Sequence, residues 1–150
     1  MPVIEAICIS PSKGPKQPVD TVSVQANFGI LGDVHATAGS DRQISFLSLE
    51  LIEAVRREGL NVAYGAFGEN FITSGFDITL FHVGDIIEFT SGLIAEVTVI
   101  GKTCPAPCII YKTLGRCIMP EYGVFAKVLK NGNVTIGDQL FVKRNGSLLS

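Results

Sequence analysis

Short apolar stretches, most of them closed by a glycine, asparagine or aspartate step, follow one another along most of this chain and leave room for only one long helix. Val3 to Ile9 reads as a strand apolar on both faces and interrupted only by Glu5. Thr21 to Ala26 alternates polar and apolar residues, the pattern of a half-buried strand. Asn70 to Thr73, Thr79 to Thr90 (broken at Gly84-Asp85), Leu93 to Ile100, Val124 to Leu129, Asn133 to Ile136 and Leu140 to Val142 continue the series. Asn131-Gly132 between two such runs predicts a hairpin, because both residue types tolerate positive φ. Ser10 to Pro18 and the glycine-rich run from Phe28 to Gln43 read as loops, and the second is long enough to carry function. One helix is predicted from about Leu49 to Glu58, with Ser48 as its cap, Glu50 and Glu53 early, Arg56 and Arg57 late, and Gly59 as the stop. Many short strands with one helix predict a mainly β fold closed, or partly closed, into a β-barrel, since closure removes sheet edges.

A length of 150 residues suits one domain, with an ordered core over about 3–143 and a tail over 144–150. Although the mean hydropathy is +0.38, no stretch approaches the roughly 18 uninterrupted apolar residues of a membrane-spanning helix, so no membrane partner is expected. A net charge of −2 makes nucleic acid a poor partner. The opening residues Met1 to Glu5 lack the basic and apolar regions of a secretory signal, which points to the cytoplasm. In that reducing compartment Cys8, Cys104, Cys108 and Cys117 are expected as thiols.

Cys8 lies in an apolar strand, where a buried thiol is ordinary. The other three cluster between Lys102 and Cys117, beside Pro105 and Pro107, with Lys112 and Arg116 close in sequence. The prolines bend the chain away from a ladder, and nearby cations favour thiolate, the form that attacks electrophiles and ligates soft metals. At least one of Cys104, Cys108 and Cys117 is therefore expected to be reactive rather than an inert buried thiol. Zinc is the rival: Cys-x3-Cys-x8-Cys gives three ligands, with Cys8, His35 or His82 to complete the set, but only one close pair is present. No nucleophile elbow, P-loop or dinucleotide fingerprint occurs. His35 in the glycine-rich loop could face a pocket, whereas His82 between Phe81 and Val83 reads as structural. Glu69 and Asn70, after a glycine turn, could bind a ligand or tie the turn to adjacent loops.

Several of these pieces stand in a shared order: Gly32-Asp33-Val34-His35-Ala36, Arg42-Gln43-Ile44-Ser45, Gly68-Glu69-Asn70, Val83-Gly84-Asp85, Glu96-Val97-Thr98, Pro107-Cys108, Gly123-Val124-Phe125-Ala126 and Ile136-Gly137-Asp138. Together they resemble the MOSC domain, the C-terminal domain of molybdenum cofactor sulfurase. The resemblance implies a pyruvate-kinase-like β-barrel with short helical turns, and a role with molybdenum cofactor (molybdopterin) or in sulfur transfer. It implies that Cys108, with Cys104 as alternative, is a molybdenum ligand or sulfur acceptor. Asp33, His35, Arg42, Glu69, Asn70, Lys102, Lys112 and Arg116 would then surround the cofactor. It further implies a sulfur-donor or other molybdenum-pathway protein as partner, a homodimer as one possible assembly, and no pyridoxal phosphate, because the desulfurase module of larger relatives is not in this sequence. Two other roles follow from the same likeness: reduction of N-hydroxylated compounds, or a non-catalytic interaction module.

Overall fold

Alternation in the sequence becomes alternation in burial. In Thr21–Gln25 the two valines face inward while Thr21, Ser23 and Gln25 face water, the behaviour of a strand with one dry side. The computed structural model describes residues 2–12, 16–59, 61–101 and 123–149. Its elements run β1 (Val3–Ile9), β2 (Gln17–Val19), β3 (Thr21–Gln25), β4 (Gly29–Ile30), β5 (Ile44–Ser48), α1 (Leu49–Arg57) and β6 (Phe71–Ser74). After a 3-10 turn at Ile78–Leu80 come β7 (Ile86–Phe89), β8 (Ile94–Ile100), β9 (Val124–Lys130), β10 (Gly132–Thr135), β11 (Leu140–Arg144) and β12 (Ser147–Leu148).

These strands make two sheets, one in the order β12-β11-β7-β8-β9-β5-β6-β1-β2 and one in the order β10-β3-β4. The fold is mainly β with one helix of more than a single turn among the described residues, as expected, but the ladders do not close into the expected barrel. The cause lies in β1. One of its edges pairs with β6; along the other, Ile7–Ile9 pair with β2. Only the start of β1 is left to reach the segment ahead of β11. It does so through the isolated Val3–Gln139 bridge, the Ile4 N–H donating to Asp138 (2.8 Å) and the Gly137 N–H donating to Ile4 (2.8 Å).

The larger sheet packs on both faces. On one, Phe46, Phe71 and Phe89 meet at centroid distances of 5.4, 6.2 and 5.7 Å, among Val22, Val24 and Val134 of the small sheet. On the other, Ile52 and Val55 of α1 cover Ala6, Leu47, Ile72 and Phe125. The helix joins β5 to its parallel neighbour β6, the connection that parallel strands require.

Several local expectations change. β5, β2 and β4 occupy stretches not read as strands. Thr79 and Leu80 lie in the 3-10 turn and not in a strand: Asp77 caps that turn by accepting from the Thr79 N–H at 3.0 Å, and His82 begins the turn before β7. Ser48 is the residue before α1, but its hydroxyl donates to Glu50 (3.0 Å) and makes no cap bond. Asn131-Gly132 is not a hairpin turn, because β9 pairs with β8 and β5 while β10 pairs with β3. It is a corner between sheets: Asn131 Oδ1 accepts from the Ala26 N–H (2.6 Å), and a Cβ at Gly132 would stand 2.7 Å from the Leu93 nitrogen. The expected tail instead turns at Asn145 (φ 52°) and Gly146 (φ 79°) and pairs with β11 as β12. Two successive positive-φ residues make the two-residue hairpin expected at the other Asn-Gly step.

Candidate functional site

The β-sheet register places four residues side by side on the face that carries α1. Ser45 of β5 pairs with Phe125 of β9, Asn70 lies across from Ser45 just ahead of β6, and the Cys8 N–H of β1 donates to the Asn70 carbonyl at 2.7 Å. At the usual strand spacing this row spans about 14 Å. It lies one pleat from Leu47, Ile72 and Ala6, which α1 covers.

Asn70 is the hub. Its Nδ2 donates to the Cys8 carbonyl (3.1 Å) and to Asp33 Oδ2 (2.8 Å), while its Oδ1 accepts from the Ser45 N–H (3.0 Å) and hydroxyl (3.2 Å). Asp33 is brought over β1 by the loop after β4. Its carboxylate receives Lys16 Nζ at 3.0 and 3.2 Å, with 2% of the Asp33 and 5% of the Lys16 side chain exposed. The Ser10 and His35 N–H groups also point at Asp33 Oδ1 (3.4 and 3.3 Å). Burial pushes the Asp33 carboxyl up, but the Lys16 hydrogen bond and charge, Asn70 and the His35 amide outweigh it and hold it below the usual range. Glu69 goes the other way: burial raises its carboxyl despite bonds from the Gly65 (2.9 Å) and Phe67 (3.1 Å) amides. Gly65 (φ +91°) is needed here, since a Cβ would meet the Lys16 carbonyl oxygen at 2.7 Å.

Four of the residues singled out in the sequence thus come together: Asp33, Asn70 and His35 in direct contact, and Glu69 beside them. His35 stands at the surface with 63% of its side chain exposed and Nδ1 3.4 Å from both Lys16 Nζ and Asp33 Oδ1. Arg42 lies at the far end of the row, its guanidinium 5.3 Å over the Phe125 ring, and among the described residues it makes no ion pair. Lys16 and Ser45 are the members that sequence reasoning missed. A lysine in a Pro/Gly-rich loop carries no sign that it will be buried, and Ser45 follows only from the register of a strand that was not read.

Cys104, Cys108, Lys102, Lys112 and Arg116, with Cys117, lie outside the described residues. Their segment leaves from Gly101 and returns at Gly123, where the Gly101 N–H donates to the Gly123 carbonyl at 2.7 Å, two residues from Phe125. Among the described residues no group of three or more His, Cys, Asp or Glu could hold a metal ion. Cys8 is fully buried, and burial, then the Glu69 charge, pushes its thiol up to about 12, so it is a poor source of thiolate. Of the described residues, Arg42, which has no ion-pair partner among them, has the charge to meet an oxyanion on a cofactor's periphery. A soft metal ligand would have to come from Cys104, Cys108 or Cys117.

This architecture and this set of loops define a recognised domain class. A MOSC domain family model matches residues 33–141, and the chain belongs to that family. In structure it is similar to the YuaD protein of Bacillus subtilis (TM-score 0.78, 22% identity, covering 95% of this chain and 96% of that one). It is similar as well to YiiM of Geobacillus stearothermophilus (TM-score 0.72, 21% identity, 97% and 77% covered) and YiiM of Escherichia coli (TM-score 0.68, 21% identity, 99% and 73% covered). A search of curated proteins finds no match. No helix of the described residues is long and apolar enough to cross a membrane.

Proposed function

We propose that this chain binds a molybdopterin-type cofactor, or carries sulfur for one, with Cys108 as molybdenum ligand or persulfide carrier and Cys104 as the alternative. The observation that carries the reading is the position of the cysteine segment's two ends, at Gly101 and Gly123, beside the Phe125–Ser45–Asn70–Cys8 row and two residues from the ring under Arg42. Membership of the MOSC family, which is linked to molybdenum cofactor, supplies the chemical class. When bound, the cofactor would supply the metal-centred chemistry. The chain's own residues would hold its oxygen-rich periphery: Arg42, Lys102, Lys112 and Arg116 offer cations to a phosphate, and His35 offers an exposed ring nitrogen. Asp33, Glu69 and Asn70 would set the loops in place around it. A sulfur-donor or other molybdenum-pathway protein is the expected macromolecular partner, in the cytoplasm.

The test is chemical analysis of protein made in a molybdenum-replete host. Molybdenum, a fluorescent oxidised pterin or labile sulfur should co-purify, and Cys108→Ser should remove it while the melting temperature changes little. Stoichiometric zinc, with a chelator collapsing the melting transition, would mean that the cysteines are structural and overturn the reading.

A further inference from the structure

Lys16 reaches three acceptors at once. Its Nζ lies 3.0 Å from Asp33 Oδ2, 3.2 Å from Asp33 Oδ1 and 3.4 Å from His35 Nδ1. A lysine ammonium carries three protons and accepts none, so the three contacts use its whole capacity. Asp33 Oδ1 is crowded in turn, since it already faces the Lys16 ammonium and the Ser10 and His35 amides. Little acceptor capacity is left there for a proton on His35 Nδ1, although Oδ1 stands 3.4 Å from that nitrogen. The donor–acceptor count thus makes Nδ1 of the neutral ring the acceptor, which puts the ring proton on Nε2.

From this geometry we infer that Lys16 is a positioning residue that holds neutral His35 as the Nε2–H tautomer, so that His35 presents a hydrogen-bond donor to an oxygen atom of a bound oxoanion. The inference goes beyond placing His35 at the site, because it assigns the direction of the bond. A ring held this way has no Nε2 lone pair to offer, and is neither a general base nor a metal ligand at that nitrogen. Lys16 stays within its buried grip on Asp33 and acts only through the ring. The oxoanion as ligand rests on the proposed function above; the tautomer rests on this chain's atoms alone, so the two can fail separately.

The chain has two histidines, which makes the ring directly readable. Nitrogen-15 spectra at a pH where the rings are neutral should show His35 with a protonated Nε2 and a bare Nδ1; a population protonated at Nδ1 overturns the inference. The reciprocal test removes the exposed ring and spares the buried pair. In His35→Ala, which should fold, the Lys16 ammonium signal should shift and its protons exchange faster with water than in the unsubstituted protein. No change there, or no observable Lys16 ammonium in the unsubstituted protein, means that Nδ1 is not its third acceptor. Inorganic phosphate serves as the probe oxoanion: its titration should move the His35 Nε2–H resonance and leave His82 in place. Equal movement of both rings, or movement of neither, removes the oxoanion half of the inference. None of these measurements uses bound molybdenum or sulfur, so loss of the proposed function would leave the tautomer standing.

Discussion

At the scale of single residues, the site sets two buried carboxyls to respond to pH in opposite senses. Asp33 is held below its usual range, so its contribution to stability is complete above the unfolded value of about 3.9 and is lost as pH falls through the lower folded value. Glu69 is raised, so it favours the fold while protonated, and that contribution is lost as pH rises from the unfolded value of about 4.3 through the folded one. Asp33→Asn leaves Lys16 buried without its counter-charge, which should cost roughly 3 kcal/mol at neutral pH. That deficit should begin to shrink below about pH 4, where the unfolded unsubstituted chain takes up a proton at Asp33, and should go on shrinking until pH falls past the lower folded value. Urea titrations of both proteins at pH 7 and pH 3 check it, and a deficit independent of pH would show that the pair does not titrate with folding. Asn70→Ala removes two donors and one acceptor and strands the Ser45 amide beneath the loop. We expect a loss of about 2–4 kcal/mol with an unchanged urea m-value. Asp33, His35, Glu69 and Asn70 were legible in the sequence because short motifs carry them; Lys16 was not, because burial of a loop lysine is decided by which carboxylate comes to rest above it.

At the scale of elements, amphipathic period and turn chemistry read well and pairing read poorly. The helix and β1 fall within a residue of their expected bounds, and Gly84-Asp85 and Gly137-Asp138 are both positive-φ turns whose aspartates accept an N–H three residues back, from His82 and Thr135. The two Asn-Gly steps show the limit. Asn131-Gly132 has strand patterns on both sides, yet Gly132 is there for its lack of a Cβ against Leu93, while Asn145-Gly146 makes the actual hairpin. An identical dipeptide serves close approach in one place and backbone conformation in the other, and only the partner strands decide which. The same distinction predicts the cost of substituting glycines. Gly65→Ala meets a backbone oxygen at 2.7 Å as well as a φ of +91°, whereas Gly84→Ala has a φ of +97° in open space. Gly84→Ala should cost about 1 kcal/mol from conformation alone. Gly65→Ala should cost some 2 kcal/mol more and loosen Lys16, raising amide exchange across 16–19, because the obstructing atom is backbone and cannot swing away. Similar costs at the two positions would mean that the Lys16 loop yields freely.

At the scale of the whole molecule, the two ends of the chain contribute unequally to the fold, in the sense that a strand at Val3–Ile9 and a tail after 143 suggest, although the expected tail carries a short strand of its own. The contact between β1 and the segment ahead of β11 depends on a few atoms at the start of β1. Ile4 is 1% exposed in the main core and exchanges two backbone bonds with Gly137 and Asp138, and the Leu140 N–H donates to the Pro2 carbonyl at 2.9 Å. Burying one isoleucine is worth about 1.5–3 kcal/mol and each bond about 1 kcal/mol, so removing residues 1–5 should cost of the order of 5 kcal/mol. That approaches the whole stability of a small domain, about 5–15 kcal/mol. β12 is different. Ser147 and Leu148 are exposed, and among the described residues the strand pairs only with the end of β11, with one further bond from the Leu149 N–H to the Val142 carbonyl. Ending the chain after Asn145 should therefore lower the midpoint of thermal unfolding by only a few degrees and keep the transition cooperative. Removing residues 1–5 should abolish the transition or bring it near room temperature, although β1 and β6 would still pair from Ala6 onward. Calorimetry of the two truncated chains separates the cases. Comparable losses at both ends would mean that the nine-stranded sheet is stable as an open sheet, and that the stitch between β1 and the 137–140 segment is incidental.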